Sequence, residues 1–314
     1  MPLGTRALRA VALLAGVAAA ATMTACADPV SESPSGPASA PASSAAGGSP
    51  ASTGVNQEAR ALLPEEFLNG EPIKVGTEAF YPPYDYLAED GQTIIGLDVD
   101  LFDEVAKALG VEYTLENAAF DSLLPGIDTG RYDVIVAALT DNANRQANYD
   151  MVDYFLTGQS IVVAAGNPEG VKGEADLCGK AVSVLTASAQ ETILQEFNAD
   201  LCADSPIDIL PQATDDDAYM QLQTGRVAAT LSQDPVARDR VAKVGGGSEL
   251  ELANAEPFQT KPLGYALAKD STQLRDALQV ALQGLLDDGT YATVLEKHGL
   301  GASAIGEITV NAGE

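Results

Sequence analysis

The chain has 314 residues, 46% apolar and 20% charged, which is enough material for a buried core of about two ordinary domains. Asp and Glu number 45 against 17 Lys and Arg, a formal net charge of −28 that argues against nucleic acid as a partner. The single histidine, His298, excludes sites built on several histidines. The sequence also lacks the glycine-rich loops that bind nucleotides, so we expect no metal site and no cofactor.

The first 25 residues have the pattern of an export signal. Arg6 and Arg9 precede twelve consecutive apolar residues, 10–21, and small residues then lead to Cys26. This pattern predicts a secretory signal peptide over residues 1–25. Twelve helical residues span about 18 Å, too short for the ~30 Å hydrocarbon core of a membrane. The small residues before Cys26 resemble a bacterial lipoprotein processing site, which implies a lipidated Cys26. Ordinary cleavage that leaves a free thiol is the alternative.

The segment after Cys26 has the composition of a tether. Ser, Ala, Pro and Gly make up 24 of the 30 residues 27–56, and none is aromatic. Such a segment buries too little apolar surface to offset the entropy of ordering. We therefore predict a flexible linker over residues 26–58. Its ends would lie roughly 30 Å apart on average, which holds a folded body clear of the membrane.

From residue 59 the sequence alternates short β-type runs with amphipathic helical patterns, which is typical of α/β layers. The first group of predicted elements is strand 73–77, a helix capped by Asp98 and ended by Gly110, strand 113–115, helix 122–129 and strand 133–137. After a new apolar run at 160–165, the second group is strands 181–185, 207–210 and 227–231 with helices 188–198, 215–223 and 235–243. A return strand at 265–268, a helix with Leu274, Leu278 and Leu282 on one face, and helix 290–297 complete the pattern. The sequence thus predicts two α/β layers.

Two cysteines remain once Cys26 is set aside. Cys178 and Cys202 would lie in a compartment where disulfides persist, so we predict that they pair. Closing a loop of about 25 residues would stabilise the fold by roughly 3 kcal/mol. Two buried free thiols are the alternative, and mass spectrometry with and without reduction distinguishes the two.

Several charged groups fit structural roles. Two acidic clusters, one of Asp98, Asp100, Asp103 and Glu104 and one over 215–217, lie in the first turns of predicted helices. Negative charge there complements the helix dipole, so we interpret both clusters as structural. His298 follows a predicted helix and is interpreted as a cap or surface residue.

Two segments that follow strands are candidates for ligand binding. The aromatic segment 80–86 lies at the carboxyl edge of strand 73–77, where α/β sheets place ligands, although Tyr84 and Tyr86 are expected to pack in the core. Segment 138–145 follows another strand and ends in Arg145, whose guanidinium suits a carboxylate. A surface ion pair is the alternative for this arginine.

Five segments carry a family resemblance: 76–84, 96–101, 120–133, 140–145 and 152–154. Together they resemble the family 3 extracellular solute-binding proteins of bacterial ABC importers, which chiefly bind amino acids. The resemblance covers roughly 71–299 and is more specific in the first half.

The resemblance implies an α/β, two-lobed, type II periplasmic-binding-protein-like fold with a hinge and a ligand cleft between the lobes. Lobe 1 would comprise 59–155 and 265–302, and lobe 2 would comprise 160–260. Residues 303–314 would form a C-terminal tail. The two groups of predicted elements and the late return strand agree with this organisation.

One end of the implied ligand site binds a carboxylate. By position, Arg145 would grip the ligand α-carboxylate, helped by the Thr140 hydroxyl and the backbone of Ala138. Ser188 and Ala189, at the start of a lobe-2 helix, would add further donors.

The rest of the implied site would bind the amine and the side chain of the ligand. Glu78 would face the ammonium, and Tyr81 and Phe120 would sandwich the ligand side chain. The family often has a basic or polar residue where Leu185 stands.

A second departure concerns the lobe-2 aspartate that usually binds the α-ammonium. That position aligns with Gln233, and Asp234 follows it, so a shift of one residue is the alternative.

The leading hypothesis is therefore a binding protein without catalytic residues. It would be a monomer, extracytoplasmic, anchored to the cell membrane through lipidated Cys26, and would deliver a polar amino acid or a related amine and carboxylate solute to an ABC transporter permease. A ligand-sensing receptor is one alternative. A cyclohexadienyl-type dehydratase is another, and Glu78 is its only obvious general acid.

Overall fold

The computed structural model describes residues 54–313. The predicted signal peptide, Cys26 and the predicted linker up to residue 53 lie outside the described residues. The helices are α1 Gln57–Ala61, α2 Glu65–Leu68, α3 Leu97–Leu109, α4 Phe120–Asp128, α5 Ala143–Gln146, α6 Ala189–Ala199, α7 Asp215–Gln223, α8 Asp234–Lys243, α9 Thr272–Asp287 and α10 Thr290–Lys297. The strands are β1 Ile73–Thr77, β2 Phe80–Tyr81, β3 Asp85–Leu87, β4 Ile94–Ile95, β5 Tyr113–Asn117, β6 Val134–Ile135, β7 Tyr149–Ala164, β8 Ala181–Leu185, β9 Asp208–Gln212, β10 Ala229–Gln233, β11 Leu250–Leu252 and β12 Phe258–Ala268.

Most of these elements lie where the sequence predicts them, with three differences. The run 160–165 does not start a strand, because it is the second half of β7, which begins at Tyr149. The return strand is also longer than predicted, since β12 begins at Phe258. The helix ended by Gly110 begins at Leu97 with Gly96 at its N-cap, so Asp98 is not the cap that was predicted.

The main sheet explains how two layers join into one molecule. Its strand order is β5-β1-β6-β12-β7-β10-β8-β9, and β11 pairs with β7. β1 is parallel to β5 and β6 at one end, and β8 is parallel to β9 and β10 at the other. Between them β7 and β12 run antiparallel, from Tyr149 opposite Ala268 to Gln159 opposite Phe258. The chain therefore crosses twice between a first and a second parallel layer, which we call lobe 1 and lobe 2, while the exact lobe limits stay a prediction.

Each lobe has its own apolar core between sheet and helices. In lobe 1, Val75, Leu101 and Leu278 are fully buried. In lobe 2, Val182 and Leu194 are fully buried. Burial of each such side chain stabilises a fold by about 1.5–3 kcal/mol, so each lobe has a stabilising core of its own.

The structure confirms the predicted pairing of the two remaining cysteines. Cys178 and Cys202 form a disulfide with their Cα atoms 5.1 Å apart. Cys202 is buried in the lobe-2 core, and the bridge joins the segment before β8 to the segment after α6.

The final residues pack against lobe 1. Ile308 is 2% exposed, and Val310 forms an isolated β-bridge with Val152 of β7. The Thr309 carbonyl accepts a hydrogen bond of 2.9 Å from the Asp153 amide. The segment thus lies along β7. Within residues 54–313, no helix is long and apolar enough to span a membrane.

Candidate functional site

The candidate site lies in the cleft between the two lobes. The residues predicted to bind the ligand all follow strands or start helices there: Glu78, Tyr81, Phe120, Ala138, Thr140 and Arg145 in lobe 1, and Ser188, Ala189 and Gln233 in lobe 2. Contacts between Gln233 and the backbone of lobe 1 close the cleft. The parallel layers face each other with their carboxyl ends at this cleft, which is where α/β folds place ligands.

Arg145 is buried in the cleft rather than paired on the surface. It is 8% exposed, and its Nη1 donates to the Thr140 carbonyl at 2.7 Å. Its guanidinium carbon lies 5.8 Å from the centre of the Phe120 ring. Burial lowers the pKa of Arg145 to about 10, against the opposing effect of the Asp141 charge. In the described part of the chain no carboxylate forms an ion pair with Arg145, so the surface ion-pair alternative is wrong.

A cavity of about 260 Å³ joins Arg145 to the start of α6 in lobe 2, where Ser188 and Ala189 line it. Ser188 is the N-cap of α6, and its hydroxyl accepts from the Glu191 amide at 3.1 Å. A second cavity of about 200 Å³ lies beside Thr140 and Ala189. A helix N-terminus facing a guanidinium across a polar cavity is suited to an anion, because both carry positive charge.

Glu78 lies at an acidic part of the cleft. It is 3% exposed, and neither of its carboxylate oxygens has a hydrogen-bond partner. Burial, followed by the charge of Asp215, raises the pKa of Glu78 to about 8. Tyr81 is 8% exposed, and its hydroxyl oxygen accepts from the Gln233 amide at 3.4 Å. A buried carboxylate without partners is costly, and a cation in the cleft would remove that cost.

Asp215 is a site residue that the sequence analysis missed. Thr214 is the N-cap of α7, and Asp215 is 2% exposed and pairs with Arg240 at 3.2 Å. Burial raises the pKa of Asp215 to about 7. Arg240 also pairs with the exposed Asp216 at 2.5 Å and donates to the Phe80 carbonyl across the cleft at 3.2 Å. The interpretation of this acidic cluster as wholly structural is therefore incomplete.

The structure places Gln233, not Asp234, in the cleft. The Gln233 Nε2 donates to the Ala138 carbonyl at 2.9 Å, and its buried Oε1 has no partner. Asp234 is held outside the cleft by the Ser160 hydroxyl at 2.7 Å and by Arg238 Nε at 2.7 Å. The structure thus favours Gln233 as the cleft residue, and the one-residue shift stays an alternative that the variants below test.

Ala138 is held by a buried acid, Asp98, which was interpreted only as complementing a helix dipole. The Ala138 amide donates to Asp98 Oδ2 at 2.8 Å, and the Tyr154 hydroxyl donates to Oδ1 at 2.6 Å. Asp98 is fully buried, and burial raises its pKa. Ala138 has a φ of 46°, a left-handed conformation that side chains rarely adopt. Asp98 therefore supports the binding segment as well as the helix.

The remaining predicted residues have structural roles. Tyr84 is fully buried with its ring 5.6 Å from that of Phe155, and Tyr86 is half-buried, as expected. Leu185 is buried at the end of β8. His298 is the C-cap of α10, and its Nε2 lies 2.5 Å from Asp100. Among residues 54–313, no three His, Cys, Asp or Glu side chains are grouped so as to hold a metal ion.

Exchanging Gln233 for aspartate is expected to strengthen the binding of simple α-amino acids. The new carboxylate would face the ligand ammonium, and charged hydrogen bonds are worth about twice neutral ones, so we expect about 1–2 kcal/mol tighter binding. Calorimetric titration of Gln233→Asp measures this. Asp234→Asn is the matched control and should leave affinity unchanged. Loss of binding in the control would place the ammonium contact at Asp234.

The two strand crossings and the closed, charged cleft define a two-lobed protein that encloses a solute between its lobes. A family model for bacterial extracellular solute-binding proteins, family 3, matches residues 73–301. The chain therefore belongs to this family, and the expected type II fold is confirmed.

Amino-acid-binding proteins are similar to this chain over most of its length. The arginine-binding protein ArgT of Corynebacterium glutamicum is 27% identical over 257 residues, covering 81% of this chain and 83% of ArgT. The L-cystine-binding protein TcyJ of Escherichia coli K12 is 30% identical over 227 residues, covering 72% of this chain and 81% of TcyJ. The solved structure of an ancestral arginine-binding protein bound to arginine superposes with a TM-score of 0.67 at 30% identity, covering 72% of this chain and 97% of that one.

Proposed function

We propose that the protein binds an α-amino acid with a cationic side chain in the cleft and delivers it to the permease of an ABC importer. The observation that carries this is the placement of a buried guanidinium and an unpartnered buried carboxylate in one cleft. Arg145 would take the α-carboxylate, and Glu78 would take positive charge.

The charged residues around Arg145 and Glu78 support the assignment of each to a different part of the ligand. The charge that acts on Arg145 is that of Asp141. Those that act on Glu78 are Asp215, Asp216 and Arg240, so Glu78 belongs to an acidic end of the cleft. The α-ammonium of a ligand lies next to its α-carboxylate and would therefore bind nearer to Arg145 than to Glu78. There the side-chain oxygen of Gln233 is a neutral acceptor. We therefore assign Glu78 to a side-chain cation. Relatives that bind arginine, histidine, and lysine, arginine and ornithine support the same class.

A panel of ligands tests the proposal. Arginine, lysine and ornithine are compared with norleucine, which lacks the side-chain cation, and with agmatine, which lacks the carboxylate. At 100 times its Kd a ligand stabilises the folded protein by about 2.7 kcal/mol, which a thermal-shift assay detects. We expect shifts with the first three compounds and far smaller ones with the other two. Equal shifts with norleucine would refute the role of Glu78, and equal shifts with agmatine would refute that of Arg145.

The enzymatic alternative has one observation in its favour. A pKa of about 8 leaves Glu78 mostly protonated at neutral pH, which a general acid requires. Incubation with prephenate or arogenate and analysis of the products tests it. Our proposal expects no turnover.

Lipid attachment at Cys26 is the second part of the proposal. Each buried CH₂ of an acyl chain contributes about 0.8 kcal/mol of membrane affinity, so two or more chains hold a protein on the membrane. We expect Cys26→Ser to release the protein into the medium, which cell fractionation measures. A variant at one of the other cysteines, Cys202→Ser, is the control for cysteine loss and should stay attached wherever it folds. Retention of the Cys26→Ser protein on the membrane would place the anchor elsewhere.

A further inference from the structure

The C-terminal residues reach the segment that carries Arg145. The Gly313 amide donates to Asp141 Oδ2 at 2.6 Å. The Gln146 side-chain amide donates to Asp141 Oδ1 at 2.9 Å and also to the Gly313 carbonyl. Gly313 therefore touches both ends of the segment 141–146, which we call the arginine loop.

The arginine loop sets the position of the guanidinium. Inside it the Asn142 side chain accepts from the Arg145 amide at 3.0 Å, and the Arg145 Nη1 donates to the Thr140 carbonyl at 2.7 Å. Asp141 is fully buried, so its carboxylate has few positions to choose from. Contacts that hold Asp141 and Gln146 in place therefore also restrict the position of Arg145, which lies between them in the sequence.

The C-terminal residues are themselves firmly placed. Asn311 exchanges two hydrogen bonds with the backbone of Met151, at 2.9 and 2.8 Å, and its side chain donates to Asp150 at 3.0 Å. The Ala312 amide donates to Asp153 Oδ2 at 3.1 Å. A Cβ on Gly313 would lie 2.3 Å from the Asp141 carbonyl oxygen, so no side chain fits there. Gly313 and Asp141 are thus closely packed against each other.

We propose that residues 309–313 are a positioning element that holds the arginine loop, and so sets the affinity of the cleft for the carboxylate of its ligand. These residues lie beyond the matched family region 73–301. The inference rests on the proposed role of Arg145.

Two variants remove the contact and one serves as a matched control. Gly313→Ala forces Asp141 to move, and a chain ended after Ala312 removes the contact without a clash. Gly306→Ala is the matched control, because it lies outside residues 309–313 and a Cβ there meets nothing within 4 Å. The first readout is amide hydrogen exchange of the ligand-free proteins. We expect faster exchange over residues 142–147 in both Gly313 variants, with exchange over α9 unchanged, and no change in the loop of the control. Unchanged loop exchange in both variants would overturn the proposal.

The second readout is the selectivity for a carboxylate, which general destabilisation would not move. Displacing a binding group by about 1 Å can cost about 100-fold, so we expect arginine affinity to fall about 10- to 100-fold while agmatine affinity holds. Equal losses for both ligands would overturn the proposal. If wild-type protein binds neither ligand, the proposed function fails, and hydrogen exchange alone decides whether the loop is positioned from the C-terminus.

Discussion

Replacing Arg145 with alanine is expected to weaken amino-acid binding by two to three orders of magnitude or more while the fold survives. The guanidinium is buried, so a ligand carboxylate would bind it out of water. Removing one partner of a buried ion pair costs about 3–5 kcal/mol, because the other charge stays buried and unpaired. Calorimetric titration with arginine measures the loss, and circular dichroism checks the fold.

An exposed arginine gives the control for this measurement. Arg131 is half-exposed and pairs with Glu116, and exposed pairs of this kind contribute at most about 1 kcal/mol. Arg131→Ala should therefore bind arginine like the wild type. Equal affinity for Arg145→Ala and wild type would remove Arg145 from the site.

Replacing Glu78 with glutamine is expected to stabilise the ligand-free protein at alkaline pH and to abolish binding of cationic amino acids. The pKa of Glu78 is raised from 4.5 to about 8 in the folded protein, chiefly by burial. The folded state therefore holds this proton more tightly than the unfolded chain does. Stability falls as pH rises from about 4.5 to 8, by at most on the order of 5 kcal/mol, and changes no further above that range.

Two measurements test the two effects of this variant. The melting temperature of wild type, followed from pH 5 to 9, should fall more steeply than that of Glu78→Gln. Arginine should bind wild type with release of protons at pH 7, which titration in buffers of different ionisation enthalpy detects, because a cation favours the ionised carboxylate. Parallel melting curves, or arginine binding by Glu78→Gln at wild-type affinity, would contradict the assignment. Glu116→Gln, which alters an exposed acid, is the control.

Much of the fold and the site could be predicted because local signals agreed with the tertiary structure. Apolar runs and periodic helices located most elements, and loops after strands located both binding segments. The long strand β7 escaped prediction because Asp150, Asp153 and Gln159 interrupt its apolar pattern. Those polar side chains are buried through hydrogen bonds to distant parts of the chain, which no local pattern records.

The acidic residues show the same limit more sharply. Asp98 and Asp215 belong to the same acidic clusters as the half-buried Asp100 and the exposed Asp216, so sequence spacing treats them alike. Asp98 is buried by its contacts with Ala138 and Tyr154, and Asp215 is held by its ion pair with Arg240. These partners lie 25 or more residues away in the sequence, so only the folded structure separates the site acids from the surface acids.

The backbone of Ala138 links the core of lobe 1 to lobe 2, and this link bears on the speed of ligand release. Its amide is held by Asp98, while its carbonyl accepts from Gln233 only when the lobes are together. Under the proposed function, a bond that forms as the lobes close on a ligand would leave the association rate unaffected and slow dissociation. A neutral hydrogen bond contributes about 1 kcal/mol, which lengthens the residence time of a ligand about fivefold. Under the proposed function, such a bond would help to retain a captured solute and would still be weak enough for a permease to reverse.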